Sequence, residues 1–157
     1  MASRADLQAF MDAALAAQSV GREQAFATIE RSSGRVVGST RYMNIEPAHR
    51  RLEIGYTWLA PAWQKTAINS EAKLLMLEHA FEQLGANRVE FKTNALNEPS
   101  RKALAGIGAQ FEGIFRRHMI VQHGVSRDSA YYSVIVDDWP AVRRHLEQRV
   151  ERLNAAG

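Results

Sequence analysis

Apolar residues first recur at helical spacing. Leu7, Phe10, Met11, Ala14 and Leu15 share one face of a helix predicted over Ser3–Ala17, with Ser3 placed to cap its first turn. Gly21 ends that segment. Gln24–Arg31 and Arg35–Ile45 then read as two strands joined by Ser32-Ser33-Gly34, a turn with glycine where positive φ is easiest. Arg51–Leu59 is a third strand, dense in the β-formers Ile54, Tyr56, Thr57 and Trp58, and Pro61 stops it. Asn69 or Ser70 is placed to cap a helix reaching about Leu84. Leu74, Leu77, Ala80, Phe81 and Leu84 form its apolar face, and Gly85 its C-terminal cap.

Arg88–Thr93 alternates Val89, Phe91 and Thr93 as a strand. Asn97 precedes Pro99 as the cap of a helix over Ser100–Ile107, closed by Gly108. Phe111–Gln122 and Ala130–Val136 are strands joined by the polar loop 123–128. The last helix carries Trp139, Val142, Leu146, Val150 and Leu153 on one side. Hairpin-joined strands followed by a strand–helix–strand crossover imply an α/β (α+β) fold: a mixed, mostly antiparallel central sheet flanked by helices. Sheets of this kind bind ligands at strand ends beside helix N-termini.

The 157 residues suit one domain spanning the chain. A net charge of +3, with basic residues interleaved among acidic ones, argues against nucleic acid as a partner. No cysteine is present, which removes disulfides, thiolate metal sites and a cysteine nucleophile. No apolar run reaches the roughly 20 residues of a membrane helix, and the start lacks signal-peptide architecture. A cytoplasmic protein is expected. The histidines His49, His79, His118, His123 and His145 make no metal spacing, and Arg143, Arg144, His145 and Arg149 read as the solvated face of the last helix.

One segment carries chemistry on physical grounds. From Trp58 to Lys73 a strand ends, a turn follows and a long helix begins. N–H groups in such a turn and in the first helical turn lack intrahelical partners, and with the helix dipole they form an anion site. Gln64, Lys65 and Thr66 add donors and charge, while Ala67 and Ser70 are small enough for close approach. The same joint also occurs as plain strand–turn–helix architecture.

The stretch Gln64-Lys65-Thr66-Ala67-Ile68-Asn69 resembles the phosphate turn Gln/Arg-x-x-Gly-x-Gly/Ala of the GNAT superfamily of N-acetyltransferases, with Ala67 and Asn69 at the glycine-type positions. Asn94–Gly113 resembles the pattern that follows in the branch acetylating ribosomal-protein N-termini, and so do the strand Arg51–Leu59 and the tail Arg127–Trp139. The resemblance implies the acyl-CoA N-acyltransferase fold, acetyl-CoA as co-substrate, no metal, a small-molecule or peptide amine as acceptor, and a homodimer. It implies cofactor contacts from Leu59, Ala60, Gln64, Lys65, Thr66, Ala67, Ile68, Asn69, Asn97 and Arg101. It implies Glu53 as general base, a backbone N–H near Leu59 for the developing oxyanion, and Ser100 as the acid. Leu104 stands where many relatives carry the acidic tyrosine. For Glu53 the alternative is a surface pair with Arg50 or Arg51; for Asn97 and Ser100 it is helix capping. The superfamily's usual first strand and helix are not expected in this chain. Two other readings stay open: a non-catalytic CoA-binding or dimer-forming module, and a small RNA-associated domain.

Overall fold

The computed structural model describes residues 3–155. Helix α1 (Arg4–Ser19) starts with a reciprocal cap in which Asp6 N–H donates to Ser3 Oγ and Ser3 N–H to Asp6 Oδ2. Strands β1 (Gln24–Glu30) and β2 (Arg35–Glu46) form the expected hairpin, with Gly34 at φ +66°. After β3 (Arg51–Leu59) come helix α2 (Ile68–Glu78), β4 (Arg88–Asn94), α3 (Glu98–Gly106), β5 (Gln110–Ile120), β6 (Ser126–Ile135) and α4 (Trp139–Ala155). Six strands make one sheet in the order β1-β2-β3-β4-β6-β5, antiparallel except for β3 beside β4.

The sheet has two different faces. Leu52 and Ile54 of β3, Val89 and Phe91 of β4, and Tyr132 and Val134 of β6 are buried against Leu77, Phe81, Ile107, Trp139 and Leu146 in one core. The opposite face is polar around β3, β4 and β6. There Arg51 pairs with Glu90, and Arg88 bridges Glu90 and Glu112. This alternation is the period of two that the sequence of β4 displays.

Three expectations are corrected. Helix α2 begins at Ile68, with Ala67 rather than Asn69 or Ser70 at its cap position. It does not run as an α-helix to Leu84: residues His79–Gln83 widen into a π turn, with Leu84 N–H reaching His79 O at 3.0 Å. Tyr42 supports this end of the helix, its hydroxyl donating to Met76 O at 2.6 Å. The basic residues of α4 are not simply a solvated face. Arg143 pairs with Glu78, Glu82 and Glu147, and Arg149 Nε donates to Ser70 Oγ at 3.0 Å, so α4 is tied to α2 at both ends. No helix among the described residues is long and apolar enough to cross a membrane.

Gly38 lets β2 and the end of β3 approach. A Cβ there would run into the Trp58 carbonyl oxygen and stand 2.6 Å from Leu59 Cδ2. The carbonyl belongs to the backbone of a paired strand with little room to move. Gly38→Ala is expected to lower stability by about 1–3 kcal/mol, read as a drop in the urea midpoint.

Candidate active site at the parting of two parallel strands

β3 and β4 pair only over Arg51–Glu53 and Arg88–Glu90. Beyond Glu53 the two strands separate. β4 keeps its other neighbour, β6, as far as Asn94, and β3 keeps β2 as far as Leu59. An opening therefore lies between the C-terminal ends of two parallel strands, each followed by a helix start. This is where open sheets receive ligands.

A bulge shapes the β3 wall. Ser39 faces Trp58 and Arg41 faces Gly55, so Thr40 opposes both Tyr56 and Thr57. Tyr56 takes a left-handed φ of +48°. The extra residue reverses the side-chain alternation beyond it. Tyr56 turns to the α1 side, where its ring packs edge-on to Phe10 and beneath Arg41. Thr57 turns to the α2 side and contacts Thr40 and Lys73.

At the top of β3 the chain makes a short 3-10 turn, Pro61–Trp63, before α2. Ala60 N–H is held by Val37 O, and Gln64 Nε2 donates to Leu59 O at 3.0 Å. Lys65 carries the left-handed residue of the turn, at φ +64°. Ala67 sits at φ −64°, so no glycine is required there. Thr66 Oγ1 donates to Trp63 O and accepts from Ile68 N–H at 3.4 Å. The cap residue, Ala67, makes no side-chain hydrogen bond to α2. Of the N–H groups of Ile68, Asn69, Ser70 and Glu71, only that of Glu71 has a backbone acceptor among the described residues, Ala67 O at 2.9 Å. Gln64, Lys65 and Thr66 are exposed. Small side chains, free donors and a positive charge fit an anionic group at this turn.

The other wall is the start of α3. Asn97 caps it, Oδ1 accepting from Ser100 N–H at 3.1 Å, so the capping role weighed for Asn97 is realised. The Ser100 hydroxyl has no hydrogen-bond partner among the described residues and remains half-buried. Arg101 turns into the fold. Its Nε donates to Tyr132 Oη at 3.2 Å and its Nη1 to Ala95 O at 3.2 Å. Leu104 packs on the apolar core.

Glu53 stands at the last paired position of β3, where the opening begins. It is 2% exposed, which overturns a surface pair with Arg50 or Arg51. Oε2 accepts from Asn44 Nδ2 at 2.9 Å and pairs with Lys92 Nζ at 3.2 Å. Lys92 lies 6.0 Å from the Tyr131 ring centre, and the Tyr131 hydroxyl lies 3.3 Å from His118 Nε2. Burial raises the Tyr131 phenol, and the charges of Glu53 and Glu90 add to this. Trp58 Nε1 is buried without a hydrogen-bond partner among the described residues. Asn44, Lys92 and Tyr131 are not among the site residues expected from the sequence. The signal for Lys92 was present, because it shares its strand face with Arg88 and Glu90.

Lys73 was also missed. It falls within the helical stripe Ser70, Lys73, Leu77 and Ala80, all buried, and is itself 3% exposed. Nζ donates to Thr57 Oγ1 at 2.7 Å and Thr40 Oγ1 at 3.2 Å. Burial lowers its pKa from 10.5 to about 7. A separate cleft of about 1040 Å³ lies between β1, β2 and α2. Of the residues assigned to the cofactor it contains Thr66, Ala67 and Ile68 alone. Among the described residues no His, Cys, Asp or Glu side chains gather in a group able to hold a metal ion.

Known proteins resemble this chain in sequence and in fold. The family described as Acetyltransferase (GNAT) domain matches residues 1–110. A putative ribosomal N-acetyltransferase, YdaF of Bacillus subtilis, is 33% identical over 106 residues, covering 68% of this chain and 57% of that protein. An uncharacterized N-acetyltransferase, p20 of Bacillus licheniformis, is 32% identical over 61% of this chain and 53% of its own length. The chain thus spans little more than half of these relatives. Among solved structures, a GCN5-related N-acetyltransferase from Brucella melitensis superposes with a TM-score of 0.85 at 35% identity, over 94% of this chain and 65% of that one. RimJ of Mycobacterium smegmatis, in complex with CoA-disulfide, superposes at 0.76 with 25% identity, over 91% of this chain and 68% of that one.

Lys73 links stability to pH. Its folded value, about 7, lies below the roughly 10.4 of an unfolded lysine, so the unfolded chain binds more protons between those values. Stability from this residue rises with pH across that window and is lowest at pH 7 and below. Lys73→Met is expected to raise the urea midpoint at pH 7, and the gain shrinks by pH 9. An equal gain at both pH values would contradict the linkage.

Proposed function

The chain belongs to the GNAT acetyltransferase family, and from that premise we propose that it binds acetyl-CoA in the β3–β4 opening and transfers the acetyl group to a primary amine by direct attack. The observation that carries the proposal is the three-residue limit of β3–β4 pairing, which opens a channel toward the uncapped start of α2. The acceptor in this reading is a protein N-terminus or a small-molecule amine. YdaF, which is named a putative ribosomal N-acetyltransferase, favours the former.

In this reading the turn from Gln64 to Asn69 receives the pyrophosphate on backbone N–H groups, with Lys65 supplying charge. The edge of β3 near Leu59 and Ala60 and the Asn97 amide receive the pantetheine arm. Arg101 supports that wall through Ala95 O rather than by facing the opening. Acetyl-CoA supplies the acetyl group as an activated thioester. Glu53 takes the proton that the attacking amine gives up as its nitrogen bonds the acetyl carbon, and Ser100 or water returns a proton to the departing sulfur. Lys92 and Asn44 orient Glu53. The reading includes a cytoplasmic setting and a homodimer, the latter supported by the exposed Phe111, Ile114, Phe115 and Ile120 on edge strand β5.

One observation favours a second reading, a non-catalytic CoA-binding module: the Glu53 carboxylate already holds Lys92. Two measurements separate these. A hundredfold excess of acetyl-CoA over Kd is expected to stabilise the chain by about 2.7 kcal/mol, several degrees in Tm. No shift would sink both readings. Glu53→Gln is expected to cut acetyl transfer by about 10²-fold or more while CoA affinity stays constant. A shift in Tm without acetyl transfer to any amine in a broad panel would leave the binding module.

A further inference from the structure

Among the described residues the ammonium of Lys73 has no carboxylate partner. Its contacts are the hydroxyls of Thr40 and Thr57. The elements around it direct their charges elsewhere. On β2, Arg41 faces the opposite side of the sheet and binds Glu23. On β3, Glu53 also faces that side and holds Lys92. From α4, Arg149 binds Ser70. Glu71 of α2, His79 of the π turn and Glu30 of β1 line the cleft on the β1 side. Burial is the cause that lowers the amine, with no neighbouring charge opposing it. A buried cation without a counter-ion is costly, and such groups concentrate at functional sites.

Its placement relative to the turn gives it a use. Lys73 lies five residues beyond Ile68, about 7.5 Å along the helix axis. Helical side chains lean back toward the N-terminus, which brings the ammonium to within roughly 10 Å of the uncapped helix start. Thr57, its nearer contact, is an exposed residue of the opening. Hydroxyls fix the ammonium in place, so it acts on an anion at the turn through its field, with protein between them.

Resting on the reading that the turn seats the CoA pyrophosphate, we propose that Lys73 is a positioning residue for that anion, binding it through an unscreened charge and taking up a proton as the complex forms. In the ligand-free chain at pH 8 the amine is mostly neutral. An anion nearby favours the charged form, so binding draws a proton from solvent. Two unit charges about 10 Å apart in an effective dielectric of about 20 change affinity roughly tenfold.

The test is calorimetric titration of the full chain with CoA at pH 8, in two buffers of different ionisation enthalpy, for the unaltered protein and Lys73→Met. The unaltered protein is expected to take up roughly 0.4 proton, from a one-unit rise above about 7, and the variant close to none. At pH 6.5 the variant is expected to bind CoA about tenfold more weakly, and by pH 9 the two should converge. If the variant fails to fold, a lack of uptake by the unaltered protein still overturns the proposal. CoA binding without proton uptake overturns the role of Lys73 alone, as does equal uptake in both proteins. No CoA binding to the unaltered protein overturns the pyrophosphate seat, and this role with it.

Discussion

β3 and β4 run parallel and pair for three residues, then part at Glu53 and Glu90. Two parallel strands that stayed paired would leave no space between them. Once parted, they leave backbone groups of β3 facing the opening, with a helix start at the end of each strand. The separation needs support, because unpaired strand edges seek partners. Support comes from the outer pairings: β3 is held by β2 to Leu59, and β4 by β6 to Asn94. Gly38 allows the first of these to close tightly.

The bulge at Tyr56 acts on the same wall. One extra residue reverses which side chains face which layer. Without it Thr57 would face the α1 side and Lys73 would lose its nearer hydroxyl. With it, Tyr56 joins Phe10 and Arg41 over one face, and Thr57 joins Thr40 and Lys73 under the other. The opening thus has a buried cation on its α2 side and a buried carboxylate–ammonium pair, Glu53 with Lys92, on the opposite side. Both arrangements cost desolvation that an apolar core would avoid. Packing elsewhere must offset this. The continuous core from Tyr42 to Leu146 does so, with the stacked rings of Phe81 and Trp139 joining α4 to the π turn after α2.

The segments that matter were legible along the chain, because their signals are local. Apolar spacing marks α1, α2 and α4. Proline and glycine mark where β3 and α3 stop. Asn97 before Glu98-Pro99-Ser100 is a cap that forms as written. The order of hairpins and a crossover leads to a mixed, mostly antiparallel sheet. The turn from Gln64 to Asn69 reads as an anion seat from residue chemistry and resemblance alone. Its two departures from the glycine pattern turn out mild, since the left-handed residue is Lys65 and Ala67 needs no positive φ.

Pairings across sequence distance were decided only in three dimensions. Helix α2 starts at Ile68, and Ser70, expected as a cap, is held instead by Arg149, 79 residues away. Glu53 exchanged a plausible surface partner two residues away for Lys92 on the neighbouring strand, because the parallel register points both to one face. Lys73 occupies a place in an apolar stripe that spacing alone would give to a hydrophobic side chain, and only the bulge in β3 supplies the hydroxyl that receives it. The sequence by itself therefore determined the elements, their order and the family, because helix and strand signals are written in neighbouring residues. The tertiary structure decided which charges are buried and what they face, because strand register and the inserted bulge residue set side-chain direction, and neither can be read from one strand alone.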